Sequence, residues 1–464
     1  MNKRDTSTQK VPAGLREKMP FWFRFAWSSR NIALTTCTVL FAYVTMYCTD
    51  VLKMDPVLVG ILLMISKVFD GITDLVVGFL IDKTRTPLGK ARPYEFAVIF
   101  LWIFAVMMFS TPQMGTVGTA VWVFIMYTMV NSIWVTILYG NEVAYLNRAV
   151  KSQKNKISMT ASNGIFLVVF GTVTGVLIPQ AVKYAGVSHS AWSRISIIIA
   201  VPMVILGLCR FLFVKEVVVD DSKQQPINLK EGFSSVKKNK YIWIFAAVYF
   251  CYHMHGNITG GASTYYFKYV VGDIGKMSIV NLSSLISPIF LLIIPKLMDK
   301  YGTGRMLRIG MLCLGITPLI RGLFGTNMIT LFLGGIFIMA GSVPVALMLN
   351  VYLFECIDYG EWKAGNRIEA MLNGITSFIA KIASALASAG IGFLMGAVGY
   401  SGDLEAITGS MSTMIIWLYN YIPAILGFIG YGLSFFYDLE GKLPQIRAEL
   451  SAKHLADAPA KLEE

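Results

Sequence analysis

Long apolar runs, separated by short polar connectors, follow one another along almost the whole chain. Each run has about 20 residues or more, the length that a helix needs to cross a hydrocarbon core of about 30 Å. Because lipid offers no partners to exposed backbone groups, such runs form helices, and they lack the alternating pattern of a membrane β-barrel. The pattern predicts twelve membrane-spanning helices, at approximately 22–48, 56–81, 94–111, 118–145, 158–183, 192–214, 240–262, 277–298, 305–324, 328–354, 367–398 and 411–437.

Positive charge is concentrated in every second connector. The odd-numbered connectors are poorer in lysine and arginine, and 111–118 and 398–411 contain none. Since basic loops remain in the cytoplasm, we predict a multi-pass protein of the cell inner (plasma) membrane with both termini cytoplasmic. No short apolar core with a cleavage site follows the basic N-terminus, so we expect no removable signal peptide. The basic, even-numbered connectors are 82–92, 148–156, 215–240, 296–308 and 363–367.

A long polar connector at 216–239 divides the chain into two parts of six spans each. Both parts share a signature, because Asp82-Lys83 follows the second span and Asp299-Lys300 follows the eighth, each with a glycine and further bases behind it. Duplicated halves of membrane proteins show such repeats; the alternative is that any cytoplasmic loop collects basic residues. We predict an all-α membrane protein with twelve transmembrane helices in two six-helix halves. Its parts are an N-terminal half (1–215), a central loop (216–239), a C-terminal half (240–437) and a cytoplasmic tail (438–464).

The composition excludes several classes of protein. Only 14% of the residues are charged and 55% are hydrophobic, whereas soluble domains have about 25% charged residues, so most of the surface must face lipid. The net charge of +13 lies in the connectors, which fits membrane orientation rather than nucleic-acid binding. The cysteines and histidines show no disulfide or metal-ligand spacing, and no nucleophile–base set is present. We therefore predict no enzyme activity, no cofactor and no metal site beyond a coupling ion.

Two acids lie inside the second apolar run, at Asp70 and Asp74. Four residues apart, they share one helix face with Thr73, and like charges at that spacing repel. Each carboxylate at the membrane centre costs about 2.5–3.5 kcal/mol. A sodium ion held by carboxylate and hydroxyl oxygens, or a shared proton, would offset this cost; a fixed ion pair with Lys67 is the alternative. The pattern predicts a cation site at Asp70, Thr73 and Asp74.

A second buried charge, Lys381, lies in the eleventh run among small residues that allow close helix packing. A lone lysine in a membrane helix faces the interior and finds a carboxylate. Asp70 or Asp74 is the obvious partner, which predicts that Lys381 and an external cation compete for the acids. A permanent structural salt bridge is the alternative.

The chain resembles the glycoside–pentoside–hexuronide:cation symporters of the major facilitator superfamily. The resemblance covers nearly all of the chain. It implies the major facilitator fold and symport of a sugar, glycoside or hexuronide with Na⁺, Li⁺ or H⁺ by alternating access. It also implies that Asp70, Thr73, Asp74 and Lys381 belong to the cation site or its charge network. The segments that carry it are Tyr47-Cys-Thr-Asp50-Val, Phe69-Asp70-Gly-Ile-Thr-Asp74 with Gly78, the loop from Asp82 to Pro93, and Asp358-Tyr-Gly-Glu361-Trp-Lys363.

The sugar site of that family does not carry over to this chain. In ungapped register, the family's sugar-binding acids fall on Leu34 and Leu138 and its arginine falls on Asn163. The family's cation site also includes a hydroxyl residue in the fourth span, and this position falls on Val135, with Thr136 adjacent. An alternative cargo therefore stays open, namely an amphiphilic or organic-anion solute, lysolipid- or steroid-like, moved by the same cation-coupled machine.

Polar and aromatic side chains within the spans are the candidates for a substrate site. Arg30 either binds a carboxylate solute such as a hexuronide or pairs with Glu142. Trp134 and Tyr139 either stack on a sugar face or serve packing. The predicted substrate-binding set is Arg30, Trp134, Tyr139, Glu142, Asn163, His253 and Asn350.

Charged residues of the cytoplasmic loops are predicted to gate the transporter. They can form ion pairs across the inner face that break when the halves rock, or they can serve orientation alone. The predicted gating residues are Asp82, Arg85, Arg92, Asp299, Arg305, Asp358, Glu361 and Arg367. As partners we expect a small-molecule substrate and the lipid bilayer but no nucleic acid, and we expect a monomer.

Overall fold

The computed structural model describes residues 19–84, 86–217, 239–364, 369–402 and 407–457. Helices account for most of these residues, and the pairing that resembles a strand is an isolated bridge between Thr86 and Gly89. The prediction of an all-α membrane fold is confirmed.

The helices follow the predicted apolar runs closely. Within the described residues, nine are long and apolar enough to cross a membrane by themselves. The predicted spans at 56–81, 94–111 and 240–262 also contain helices. The α-helices are α1 (Phe21–Phe41), α2 (Val44–Met46), α3 (Pro56–Lys83), α4 (Ala97–Met108), α5 (Thr116–Thr128), α6 (Val135–Ala149), α7 (Gln153–Ala185), α8 (His189–Phe213), α9 (Lys240–Tyr265), α10 (Met277–Asn281), α11 (Ser287–Tyr301), α12 (Thr303–Phe324), α13 (Met328–Ala364), α14 (Glu369–Ala397), α15 (Gly409–Ile416), α16 (Ile422–Ser434) and α17 (Leu443–Asp457).

Four π-helical segments continue or connect these helices, a feature that sequence periodicity does not reveal. A π turn holds an extra residue, so it shifts which residues face a neighbouring helix, and such turns are frequent at functional sites. The segments are Tyr47–Val51 after α2, Met129–Trp134 between α5 and α6, Tyr266–Val270 after α9, and Trp417–Tyr421 between α15 and α16.

The described residues form two compact units. The first contains 19–41, 69–174 and 184–217. In it α8 packs against α1 and α4. A buried hydrophobic cluster of this unit includes Trp27 and Tyr145.

The second unit contains 42–68, 175–183 and the described residues from 239 onward. Its α12 packs against α13 and α16, and α9 packs against α14 and α16. The core includes Phe245, Met311 and Tyr352. The boundaries predicted for the two six-helix halves stay a prediction.

Large apolar side chains are exposed along the helices. Examples are Ile198, Leu292 and Leu323, each at least 70% exposed. Soluble proteins rarely leave contiguous apolar patches larger than a few hundred Å² uncovered. The exposed apolar faces therefore match a surface that lipid covers.

Candidate functional site

The predicted cation site centres on Asp70, which is buried in α3 with 9% of its surface exposed. Thr136 of α6 donates a hydrogen bond from Oγ1 to Asp70 Oδ1 at 2.7 Å. Thr73 is turned to its own helix, where its hydroxyl donates to the Asp70 carbonyl oxygen at 3.0 Å. Asp74 is exposed one turn further on. The binding of a cation at these residues stays a prediction.

Thr136 is adjacent to Val135, the residue on which the ungapped register placed the hydroxyl of the predicted cation site. The π-helical segment Met129–Trp134 ends directly before these two residues. Its wider turn changes the direction of the residues that follow. The side chain that reaches Asp70 is consequently that of Thr136.

Lys381 is half-buried in α14 and belongs to the second unit. The predicted close packing of its helix is present, since α14 meets the first part of α3 through glycines. A Cβ on Gly392 would lie 2.9 Å from the Gly60 Cα and 2.5 Å from the Pro56 carbonyl oxygen. A Cβ on Gly396 would lie 2.4 Å from Val57, so the two helices run antiparallel at this contact. The predicted competition of Lys381 for the acids stays a prediction.

Four charged side chains of the first unit form a buried network, two arginines and two glutamates. Arg30 is fully buried and is hydrogen-bonded to Glu142. Arg210 Nη1 donates to Glu142 Oε2 at 2.6 Å. Both arginines also lie near Glu95, with Nε–Oε2 distances of 3.4 Å for Arg30 and 3.7 Å for Arg210. We call these four residues the arginine–glutamate network.

Arg30 pairs with Glu142, which is one of the two alternatives left open for it, and its role in substrate binding stays a prediction. The network's two positive and two negative charges balance, so it presents no excess positive charge to an anionic solute. Removing one partner of such a buried pair typically costs about 3–5 kcal/mol. Sequence reasoning missed Glu95 and Arg210; their position inside or at the edge of apolar runs was the available signal.

Further side chains extend the network toward the predicted substrate residues. Asn31 Nδ2 donates to Glu142 Oε1 at 2.9 Å and to Asn163 Oδ1 at 3.1 Å. Glu142 keeps 24% of its side chain exposed, and Tyr139, one turn earlier on α6, is 59% exposed. The structure thus groups Arg30, Glu142 and Asn163, with Tyr139 beside Glu142 on the same helix face.

Trp134, His253 and Asn350 are not part of this group. The Trp134 ring stacks on Phe100 with centroids 4.9 Å apart, which is the packing role that was the alternative to sugar binding. His253 contacts the Tyr249 ring at 4.4 Å, and the Asn350 side chain donates to the Ala346 carbonyl oxygen at 3.0 Å. His253 and Asn350 lie in the second unit.

The glycine loop after α3 binds a carboxylate in the first unit. The backbone N–H groups of Lys90, Ala91 and Arg92 donate to Glu216 at 3.1, 2.7 and 2.7 Å. Gly89 has φ +111°, and a Cβ there would lie 2.5 Å from Glu216. Successive backbone N–H groups of this kind form a nest for an anion. The side chain of Arg92, a predicted gating residue, donates from Nε to the Phe211 carbonyl oxygen at 3.0 Å.

The second unit repeats this arrangement after α11. Thr303 and Gly304 donate their backbone N–H groups to Glu440 at 2.7 and 2.9 Å, beside Gly302 with φ +82°. The hydrogen bond from Lys442 lowers the pKa of Asp438, in the segment that carries Glu440, to about 2. Glu216 follows α8 and Glu440 follows α16. In each predicted half, the loop that follows the Asp-Lys pair therefore binds a glutamate that comes after the sixth predicted helix in the sequence.

The other predicted gating residues show varied surroundings. Asp358 accepts a hydrogen bond from Arg447 Nε of α17 at 2.8 Å, a partner that the sequence did not indicate. Glu361 is half-buried, and Asp299 and Arg305 are exposed. Arg85, Arg367 and the side chain of Asp82 lie outside the described residues. The gating role stays a prediction.

A buried carboxylate of the second unit has a cluster of partners that sequence reasoning missed. Asp50, 1% exposed, pairs with Lys268. It also accepts hydrogen bonds from Tyr269 at 2.7 Å, from Tyr400 at 2.6 Å and from Thr49 at 2.7 Å. We call these five residues the Asp50 cluster. The segment Tyr47-Cys-Thr-Asp50-Val had been noted for its family resemblance alone.

Comparison with known proteins identifies the family and the fold. The profile of a family described as MFS/sugar transport protein matches residues 31–441. The chain is 26% identical to the isoprimeverose transporter of Lactiplantibacillus pentosus, over 97% of this chain and 95% of that protein. It is 24% identical to the putative sulfoquinovose importer of Escherichia coli (strain K12), over 94% of both. A crystal structure of a mutant of the nucleoside transporter NupG shares the fold, with TM-score 0.66, 14% identity and coverage of 89% of this chain and 99% of that one.

Proposed function

Because the chain belongs to the MFS/sugar transport family, as its resemblance to the glycoside–pentoside–hexuronide symporters predicted, we propose that it couples uptake of an uncharged sugar or glycoside to entry of Na⁺ or H⁺. The family consists of multi-pass membrane transporters, so substrate and ion cross by alternating access. One observation carries the coupling: the buried Asp70 carboxylate bonded to the Thr136 hydroxyl, with Asp74 one turn away.

The chemistry of this site supports a small cation. Carboxylate and hydroxyl oxygens are the ligands that hard cations take in proteins. Thr136 can donate its proton to Asp70 and keep an oxygen lone pair for an ion. Two acids one turn apart could equally share a proton.

A lone lysine in a membrane helix faces the interior and finds a carboxylate, which supports the proposed competition between Lys381 and the cation. We propose that an incoming cation releases Lys381 from the acids and so permits the conformational change.

The balanced arginine–glutamate network supports an uncharged substrate. Arg30 and Arg210 are already hydrogen-bonded to Glu142, so a hexuronide or another anion would have to displace that carboxylate. The partly exposed Glu142 and Tyr139 can instead accept and donate hydrogen bonds to sugar hydroxyls. The name of the isoprimeverose transporter, a relative over nearly its whole length, fits this choice.

The Asp50 cluster supports alternating access. It gathers one buried carboxylate, one lysine and three hydroxyl groups from segments far apart in the chain. Such charge-assisted contacts are strong when formed. We propose that they hold one side of the transporter closed and break when that side opens.

The test is uptake into proteoliposomes of purified protein. Radiolabelled isoprimeverose, a hexuronide, sulfoquinovose and a lysolipid are offered with and without an inward Na⁺ or H⁺ gradient. We expect accumulation of the uncharged glycoside under one of the gradients, and loss of gradient stimulation in Asp74→Asn. The control is Asp438→Asn, an acid outside the spans, which should keep the stimulation.

Two results would contradict the proposal. If Asp74→Asn kept the ion dependence of the parent protein, the acid pair would not be the coupling site. If the hexuronide, the sulfonated sugar or the lysolipid accumulated while the uncharged glycoside did not, the substrate class would be wrong.

A further inference from the structure

Arg321 of α12 is a buried cation whose surroundings differ from those of the arginines in the network. It is 2% exposed. Its guanidinium donates to the Tyr419 hydroxyl and to the Tyr419 carbonyl oxygen, both at 3.3 Å, and lies 4.5 Å from the centre of that ring. Its Nε has no hydrogen-bond partner. In the part of the chain that the structure describes, no carboxylate forms an ion pair with Arg321.

A buried positive charge without a negative partner is costly in a low-dielectric surrounding. Hydroxyl, carbonyl and aromatic groups lower this cost but leave the net charge in place. The local chemistry of Arg321 is therefore complementary to an anion.

Arg321 lines a groove of about 460 Å³ between α12 and α13. Gly334 on α13 makes room for its side chain, since a Cβ there would lie 2.7 Å from the Arg321 Cδ. The remaining walls are almost entirely apolar, with two threonines as the other hydrogen-bonding side chains. The apolar lining includes Ile309, Ile316, Ile320, Phe324, Leu333 and Phe337, each more than a third exposed.

We propose that this groove binds one membrane phospholipid, with an acyl chain along α12 and α13 and the phosphate paired with Arg321. The apolar lining excludes a hydrophilic solute. A guanidinium that has no carboxylate partner among the described residues favours a ligand that carries both a chain and an anion.

The dimensions of the groove fit this occupant. Arg321 lies three residues before the end of α12 at Phe324, which places it about 4.5 Å from the helix end, where lipid headgroups begin. From Ile309 to Phe324 the groove follows α12 for about 22 Å. One leaflet contributes about half of a hydrocarbon core of about 30 Å, so an acyl chain fits within this length.

The experiment titrates the purified full-length protein in detergent with lipid and counts bound lipids by native mass spectrometry. The probes are dioleoyl phosphatidylglycerol and dioleoylglycerol, which has the same chains but no phosphate, with glycerol phosphate as a soluble competitor. Arg321→Gln removes the charge, and Leu333→Trp fills the groove without changing any charge. The matched controls are Arg194→Gln, an exposed arginine near a helix end, and Ile205→Trp, an exposed apolar residue of the first unit.

We expect one phosphatidylglycerol to bind at least about tenfold more tightly than dioleoylglycerol, since a charge-assisted contact distinguishes them. Arg321→Gln and Leu333→Trp should each weaken phosphatidylglycerol binding about tenfold, while the controls stay within about twofold of the parent protein.

Three outcomes would overturn the proposal. Equal binding of the two lipids would remove the role of the phosphate. Parent-like binding in either Arg321→Gln or Leu333→Trp would remove the pairing or the groove. Competition by glycerol phosphate as strong as that by the lipid would indicate a free anion without a chain.

Discussion

Replacing Thr136 by valine tests the hydrogen bond on which the proposed cation site depends. The side chains have the same shape, so the change removes one hydroxyl and little volume. Thr136 Oγ1 lies 2.7 Å from Asp70 Oδ1, and both residues are less than a tenth exposed. Hydrogen bonds to charged groups are worth about 1.5–3 kcal/mol. If the hydroxyl oxygen also binds the ion, the half-saturating cation concentration should rise about 10- to 150-fold.

The assay is initial uptake into proteoliposomes at fixed substrate and varied Na⁺ or H⁺. Thr136→Ser, which keeps the hydroxyl, should stay close to the parent protein. Val135→Ala alters the residue that the ungapped register indicated and should also leave the cation dependence unchanged. An unchanged half-saturation in Thr136→Val, or an equal shift in Val135→Ala, would refute the reasoning.

Three further predictions follow from other contacts. Gly392→Ala should lower folded yield and uptake, because the new Cβ meets Gly60 and Pro56 backbone atoms closer than 3 Å. Gly390→Ala is the control and should lower neither, because a Cβ there meets open space. Both variants are compared by size-exclusion chromatography and uptake. Glu142→Gln should destabilise the protein by about 3–5 kcal/mol, because it leaves two buried arginines with one acid. The control Asp358→Asn, at an exposed pair, should cost about 0–1 kcal/mol. Melting curves in detergent would show the difference, and equal curves for the two variants would contradict the prediction. Lys381→Ala should lose accumulation against a gradient while keeping exchange of internal for external substrate, and full accumulation in proteoliposomes would count against the proposed competition.

Several features of the fold and site were predictable because they are local. The apolar runs predicted the helices, since a span must satisfy its own backbone. Asp70, Asp74 and Lys381 stood out because an ionisable residue within such a run is expensive and needs a reason. The small residues around Lys381 predicted close helix packing, which the Gly60–Gly392 contact confirms.

Other features depend on which helices meet, and a single sequence read alone carries no signal for that. Arg210 could not be assigned to Glu142, because the two residues are 68 positions apart. The hydrogen bond from Thr136 to Asp70 follows a π-helical segment that leaves no mark in the pattern of hydrophobic residues. The residues around Asp50 come from as far as Tyr400, 350 positions away.

The sequence by itself determined that this protein lies in a membrane, where its helices begin and end approximately, and that some of its charges are buried. These features could be predicted because hydrophobicity and helix length are local properties of the chain. The tertiary structure decided how those charges are used. It neutralised Arg30 with Glu142, directed Thr136 to Asp70 and left Arg321 beside an apolar groove without a carboxylate partner among the described residues. The physical reason is that the effect of a buried charge depends on the groups within a few ångströms of it, and only packing brings those groups together.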